Sequence, residues 1–167
     1  MQTDAPDWFL ESDGPERTEE LAASLAHRLR GGEIILLRGP LGAGKTCFAG
    51  GLASALGITE PAISPTFVLL RSYGAPPTPE RRGLTLHHLD FYRLEGDRDL
   101  ETLDLEECLG EETVVIVEWP ERCPAAFPAF SLEISFVVTG ENHRRIEGRW
   151  GELAFDREGW RAAPGQP

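Results

Sequence analysis

The sequence predicts an α/β fold in which a mostly parallel central sheet is flanked by helices and finished by an antiparallel C-terminal hairpin. Three observations predict it. Two apolar runs, Ile34-Ile35-Leu36-Leu37 and Val114-Val115-Ile116-Val117, read as strands buried on both faces, the pattern of parallel strands. Helix-periodic segments at 18–30 and 46–56 lie on either side of the first run. Near the C-terminus, Leu132, Ile134, Phe136 and Val138 alternate on one face, Gly140-Glu141-Asn142 turns the chain, and 143–150 is expected to pair back as an edge hairpin. A length of 167 residues is that of one domain, here expected to be ordered over about 8–155 with frayed termini.

The first element is a short strand at Trp8-Phe9-Leu10, and Ser12-Asp13-Gly14-Pro15 turns into a helix. That helix is expected from Thr18 to Arg30, with Leu21, Leu25, Leu29, Ala22 and Ala26 as its apolar stripe and Gly31-Gly32 as its stop. It is expected to pack on the sheet.

The strand ending at Arg38 runs into Gly39-Pro40-Leu41-Gly42-Ala43-Gly44-Lys45-Thr46, which fills every fixed position of G-x-x-x-x-G-K-[ST]. Backbone N–H groups of such a loop cradle phosphates, its lysine reaches the β- and γ-phosphates, and its hydroxyl ligates Mg²⁺. A helix follows directly, so the loop opens onto a helix N-terminus, where anions are favoured. Gly39 to Cys47 are therefore the candidate nucleotide-binding residues, and Thr46 a candidate metal ligand. Of sixteen basic residues fifteen are arginine, and Lys45 is the only lysine in the chain. An arginine-biased composition explains the fifteen. The exception marks a place where a compact ammonium on a flexible stem is needed rather than a planar fork.

Gly57 is placed to stop this second helix, and Ser64-Pro65-Thr66-Phe67 leads into a strand at 68–73. Thr66 is the first candidate for a hydroxyl that senses the γ-phosphate, and Ser64 the second. Ala75 to Gly83 holds three prolines and reads as a hairpin-like excursion. It returns into 84–93, where Leu86, His88, Asp90 and Tyr92 share a face. His87 and His88 point to opposite faces and read as ordinary hydrogen-bonded histidines. The acidic run 97–109 reads as a short amphipathic helix or two turns with a solvated face.

In Thr113 to Pro120 a buried strand delivers a carboxylate, Glu118, beside the phosphate loop, as a second nucleotide-hydrolase motif requires. Glu118 and Asp90 compete for the metal. Glu118 is favoured as direct or water-mediated ligand, leaving Asp90 to orient or activate the attacking water, and the reverse assignment stays open. Arg144, Arg145 and Arg149 read as charge protecting an exposed edge strand.

A net charge of −12 argues against this chain alone gripping a nucleic-acid backbone, so any nucleic-acid role requires a partner that supplies a basic face. Cys47, Cys108 and Cys123 form neither a C-x-x-C nor a disulfide framework, which fits a reducing cytoplasm. Cys47 reads either as a small buried filler or as a thiol of lowered pKa at a helix start. No signal peptide or membrane-spanning run is expected.

Gly39 to Thr46, then Ser64-Pro65-Thr66-Phe67, His88-Leu89-Asp90-Phe91-Tyr92-Arg93-Leu94 and Val117-Glu118-Trp119-Pro120-Glu121, in that order, resemble the bacterial TsaE (YjeE) family over about 9–150. The resemblance implies a P-loop NTPase-like fold and an ATPase that binds ATP and Mg²⁺ and serves tRNA threonylcarbamoyladenosine modification with the TsaD and TsaB proteins. The transfer itself would belong to TsaD, with tRNA reached only through the complex. It also implies catalytic roles for Lys45, Thr66, Asp90 and Glu118, and a place for Trp119 near the nucleotide or a partner. The proline-rich excursion at 75–83 departs from the family pattern as loop variation.

Three rival functions are weighed. A GTPase needs an N-K-x-D motif, which a chain whose only lysine is Lys45 lacks. A small-molecule kinase needs a basic helical lid, and no segment between the motifs reads as one. A nucleotide-gated binding module with negligible turnover is the third.

Overall fold

The computed structural model describes residues 5–61, 69–101 and 103–162. Seven strands form one sheet in the order β1-β7-β6-β2-β5-β4-β3: β1 Trp8–Ser12, β2 Ile34–Arg38, β3 Leu70–Ala75, β4 Leu84–Asp90, β5 Thr113–Glu118, β6 Leu132–Val138 and β7 Arg144–Trp150. The four middle strands, β6, β2, β5 and β4, run parallel, and antiparallel strands complete both sides.

Both apolar runs lie in this parallel centre. Along β2, Ile35 and Leu37 face one core and Ile34 and Leu36 the other, and β5 divides the same way, with Val114 and Ile116 opposed to Val115 and Val117. Residues that alternate between two cores leave no solvated face, so a strand buried on both sides reads as a continuous apolar run.

Helices α1 Pro15–Ala26 and α2 Lys45–Ala55 share one core with Ile35, Leu37 and Ile116, and α1 packs chiefly against α2. The opposite face is covered by 3₁₀ turns at Asp97–Leu100, Leu105–Cys108 and Pro120–Arg122, whose neighbourhood buries Leu100, Cys108, Cys123 and Phe127. The acidic run thus forms two turns. Its leucines Leu100, Leu103 and Leu105 face the sheet, while Leu109 is exposed.

Helix α1 starts three residues earlier than its apolar stripe suggested and ends four earlier. Pro15 takes the first turn, where its missing N–H costs nothing. After Ala26 the bonds tighten to Arg28 N–H on Leu25 O at 2.9 Å and Leu29 N–H on Ala26 O at 3.2 Å. Leu29 stays in the core although it lies beyond the helix. Gly31 then takes φ +110°, and a Cβ there would lie 2.0 Å from the Glu111 carbonyl oxygen. The glycine pair therefore serves the entry into β2, not the end of α1. Gly57 does follow the end of α2, at φ +84°.

The C-terminal hairpin β6–β7 is antiparallel as expected, but it is not an edge. Residues 8–12 pair with 144–148, which makes β1 the outer strand and places β7 between β1 and β6. The segment 75–83 forms the turn of the β3–β4 hairpin, with a bridge between Thr78 and Arg81. The strand expected over 84–93 stops at Asp90, beyond which a turn carries Tyr92. Thr66 and Ser64 lie outside the described residues, as do Pro164, Gly165 and Pro167.

Candidate functional site

All three parallel neighbours β2, β5 and β4 end at the same edge of the sheet, with Leu37 opposite Glu118 and Glu118 opposite Asp90. The carboxyl edge of an open α/β sheet is where ligands bind. The loop 39–44 leaves β2 there and turns into α2 through three left-handed glycines, Gly39 at φ +142°, Gly42 at +74° and Gly44 at +109°. Gly39 also lies so near Phe136 that a Cβ would stand 2.8 Å from its carbonyl oxygen.

A cavity of about 260 Å³ opens at this edge, lined by Leu41 to Cys47, Asp90, Tyr92, Glu118 and Trp119. It brings together residues from four elements of the chain. Pro40 and Gly39 are not part of that lining, but their carbonyl oxygens accept from Lys45 Nζ at 2.8 and 2.6 Å. The ammonium also lies 4.2 Å from the centre of the Trp119 ring. Burial lowers the Lys45 pKa, and the nearby carboxylates of Glu118, Glu121 and Asp90 oppose that shift.

Thr46 Oγ1 donates to Glu118, 3.1 Å from Oε1 and 3.3 Å from Oε2. On the other side His88 Nε2 lies 2.9 Å from Glu118 Oε1, with His88 and Glu118 both buried. A carboxylate only accepts, so the imidazole carries its proton on Nε2. Glu118 is thereby held from α2 and from β4 at once. Asp90, in register beside it, accepts the Tyr92 N–H at 2.9 Å.

Trp119 follows β5 at φ 57° and ψ 46°, the only non-glycine residue with positive φ among the described residues. The left-handed turn costs about 1–2 kcal/mol. It sets the indole against Lys45 and beside Tyr92, whose ring centre is 5.0 Å away. Arg122 lies 6.0 Å from both rings.

Cys47 fits neither expectation. It is half-buried, its thiol donates to Pro15 O at 3.7 Å, and its pKa is raised by burial and by Glu19 and Glu16. The helix start is outweighed first by burial and then by the α1 carboxylates of Glu19 and Glu16. The basic cluster also divides: Arg145 pairs with Glu147 at 3.0 Å, while Arg144 reaches across to the phosphate loop. His88 was read as an ordinary histidine, and the signal that places it at the site is its spacing two residues before Asp90, on the same face of β4.

A family model described as "Threonylcarbamoyl adenosine biosynthesis protein TsaE" matches residues 12–146. The chain belongs to the TsaE family. Its relatives include proteins called "tRNA threonylcarbamoyladenosine biosynthesis protein TsaE" from Treponema pallidum and Bacillus subtilis. The first is 40% identical over 71% of this chain and 82% of its own length, and the second 36% identical over 79% and 78%. The crystal structure of Bacillus subtilis YdiB matches with a TM-score of 0.65 and 29% identity, covering 86% of this chain and 85% of that one. The loop, the two acids and the tryptophan all fall within the matched 12–146, in a fold of the P-loop NTPase type.

Proposed function

We propose that the chain is the ATP-binding and ATP-hydrolysing component of tRNA threonylcarbamoyladenosine modification, acting with the TsaD and TsaB proteins. Membership of the family supports the pathway. One observation carries the chemistry: the hydroxyl that follows the loop lysine and the acid that ends β5 meet at 3.1 Å, at the mouth of the loop.

Their donors are oxygens alone, from Thr46 and Glu118, which suits a hard divalent cation such as Mg²⁺. Thr46 and Glu118 would hold that ion, with Glu118 oriented by His88. Such an ion would supply charge neutralisation at the phosphates. The stretch from Gly39 to Cys47 binds the phosphate chain, the backbone N–H groups of its residues other than Pro40 acting as donors. Lys45 exchanges its carbonyl partners for β- and γ-phosphate oxygens and stabilises the charge that develops there. Asp90 orients the attacking water and takes up its proton. Trp119 covers Lys45 and limits water at the cleft.

With a net charge of −12, the chain reaches tRNA through its complex rather than by its own surface. The test is ADP release with purified chain, Mg²⁺ and ATP, with and without candidate phosphoryl acceptors and the two partner proteins. Acceptor-independent hydrolysis that rises with the partners is expected, and Lys45→Ala is expected to abolish it. Turnover in Lys45→Ala close to that of the parent chain would overturn the mechanism, and a requirement for an acceptor would make the chain a kinase.

A further inference from the structure

Arg144 is the first residue of β7, yet its side chain serves a different part of the molecule. Nε donates to Ala43 O at 3.2 Å and Nη2 to Gly42 O at 3.3 Å, both carbonyls of the phosphate loop. Nη1 donates to Gly140 O at 3.1 Å, Glu141 O at 3.2 Å and His143 O at 2.9 Å, in the turn between β6 and β7. All five of these partners of the guanidinium are backbone carbonyls, and the group bridges two loops about a hundred residues apart in sequence.

The direction of these bonds matters. In a planar trans peptide the C=O and N–H point opposite ways. Ala43 O and the Gly44 N–H belong to one peptide, so Arg144 on the oxygen turns that N–H away from β7. The Gly42 carbonyl fixes the Ala43 N–H in the same way, and that group donates within the loop to Pro40 O at 3.2 Å. Gly42 and Gly44 are both in the left-handed region and have the broadest backbone freedom of any residue type, so a tether on the Gly42 and Ala43 carbonyls restricts the loop beyond what its own Ala43 N–H to Pro40 O bond does. Few side chains can do this. A planar fork reaches several carbonyls at fixed angles, whereas an ammonium is a point donor.

We infer that Arg144 is a positioning residue for the phosphate loop: it ties the Gly42 and Ala43 carbonyls to the β6–β7 turn and presets the loop before a phosphate arrives. The clamp also makes the β6–β7 turn a place from which the loop is disturbed. This role rests on the reading of 39–47 as the nucleotide site, but the tether itself is testable without nucleotide.

The experiment compares the full chain with Arg144→Gln, Arg144→Lys and, as control, Arg145→Gln. Amide hydrogen exchange of 41–46 is measured without nucleotide, and ATP affinity with Mg²⁺ by calorimetric titration. Faster exchange of 41–46, about tenfold, and affinity weaker by about tenfold are expected in both Arg144 variants. Protection in β2 and β5 is expected to stay unchanged, and Arg145→Gln to behave as the parent chain. Unchanged exchange in a folded Arg144→Gln chain overturns the inference. Full recovery in Arg144→Lys also overturns it, because charge near the loop would then be sufficient. Should Arg144→Gln not fold, Arg144→Lys carries the exchange comparison. If the parent chain itself fails to bind ATP, the nucleotide reading falls while the exchange result still decides the tether.

Discussion

Glu118 is gripped by two donors from different elements, Thr46 on α2 and His88 on β4. Removing His88 takes away one grip without touching the loop. His88→Leu is expected to leave ATP affinity within about twofold while lowering turnover by about tenfold, the value of one well-made hydrogen bond in a buried site. His88→Gln, which keeps an N–H at similar reach, is expected to recover most of that loss. Single-turnover ADP release beside a binding titration checks both, and equal losses of affinity and turnover would mean that His88 merely holds the fold. The residues of the site differ in how openly their side chains advertise a role. Lys45, Thr46 and Glu118 carried a spacing that chemistry demands, so they could be read from the chain. His88 was legible only as a neighbour of Asp90 on one face of β4, and the contacts that His88 and Arg144 make were not legible at all, because each reaches an element far off in sequence.

At the scale of elements, β1 and β7 pair across almost the whole chain, residues 8–12 with 144–148. Local pattern identified both strands, but no local signal says that the first strand closes over the last, which is why the hairpin was expected at an edge. The glycine in this ladder is specific: a Cβ on Gly148 would stand 1.9 Å from two carbons of the Trp8 ring. Gly148→Ala must push the indole out of its place, and such overpacking costs about 1–3 kcal/mol. A lowered melting temperature is expected, with ATP affinity retained below it, since the site lies at the other end of the sheet. A loss of affinity at a temperature where the variant is folded would contradict that separation. The parallel centre was the most legible part of the fold, since Ile34 to Leu37 of β2 and Val114 to Val117 of β5 have cores on both sides and run without a polar residue up to Arg38 and Glu118 at the edge. The covering of the second face by 3₁₀ turns was less legible, because 97–109 gives each turn too few residues to establish a period.

For the molecule as a whole, pH acts through buried thiols as well as through surface charge. Burial pushes the Cys123 thiol from 9.0 to about 11, with Asp97 and Asp99 adding to the shift, and Cys108 moves the same way. The folded chain then holds these protons more tightly than the unfolded one. The Cys123 contribution to stability is complete below pH 9.0 and is lost as pH rises towards about 11. Cys123→Ala is expected to flatten the alkaline fall in unfolding free energy over that interval, measured by denaturant titration at several pH values. An identical slope in parent and variant would remove Cys123 as its source.

The tryptophans divide between the two ends of the sheet. Trp8, Trp150 and Trp160 meet with ring centres 5.0 to 6.3 Å apart, where β7 finishes and the parallel strands begin, and Trp119 stands alone at the cavity beside Lys45. The chain therefore carries two optical reporters. Three indoles at such spacing and fixed tilt couple electronically, so the near-ultraviolet circular dichroism follows the integrity of the far end. In a chain whose other three indoles are replaced by phenylalanine, emission from Trp119 is expected to follow the cleft, since in the proposed mechanism the neighbouring ammonium changes partners for phosphate. Folding and occupancy are thus reported by different tryptophans, with no label attached.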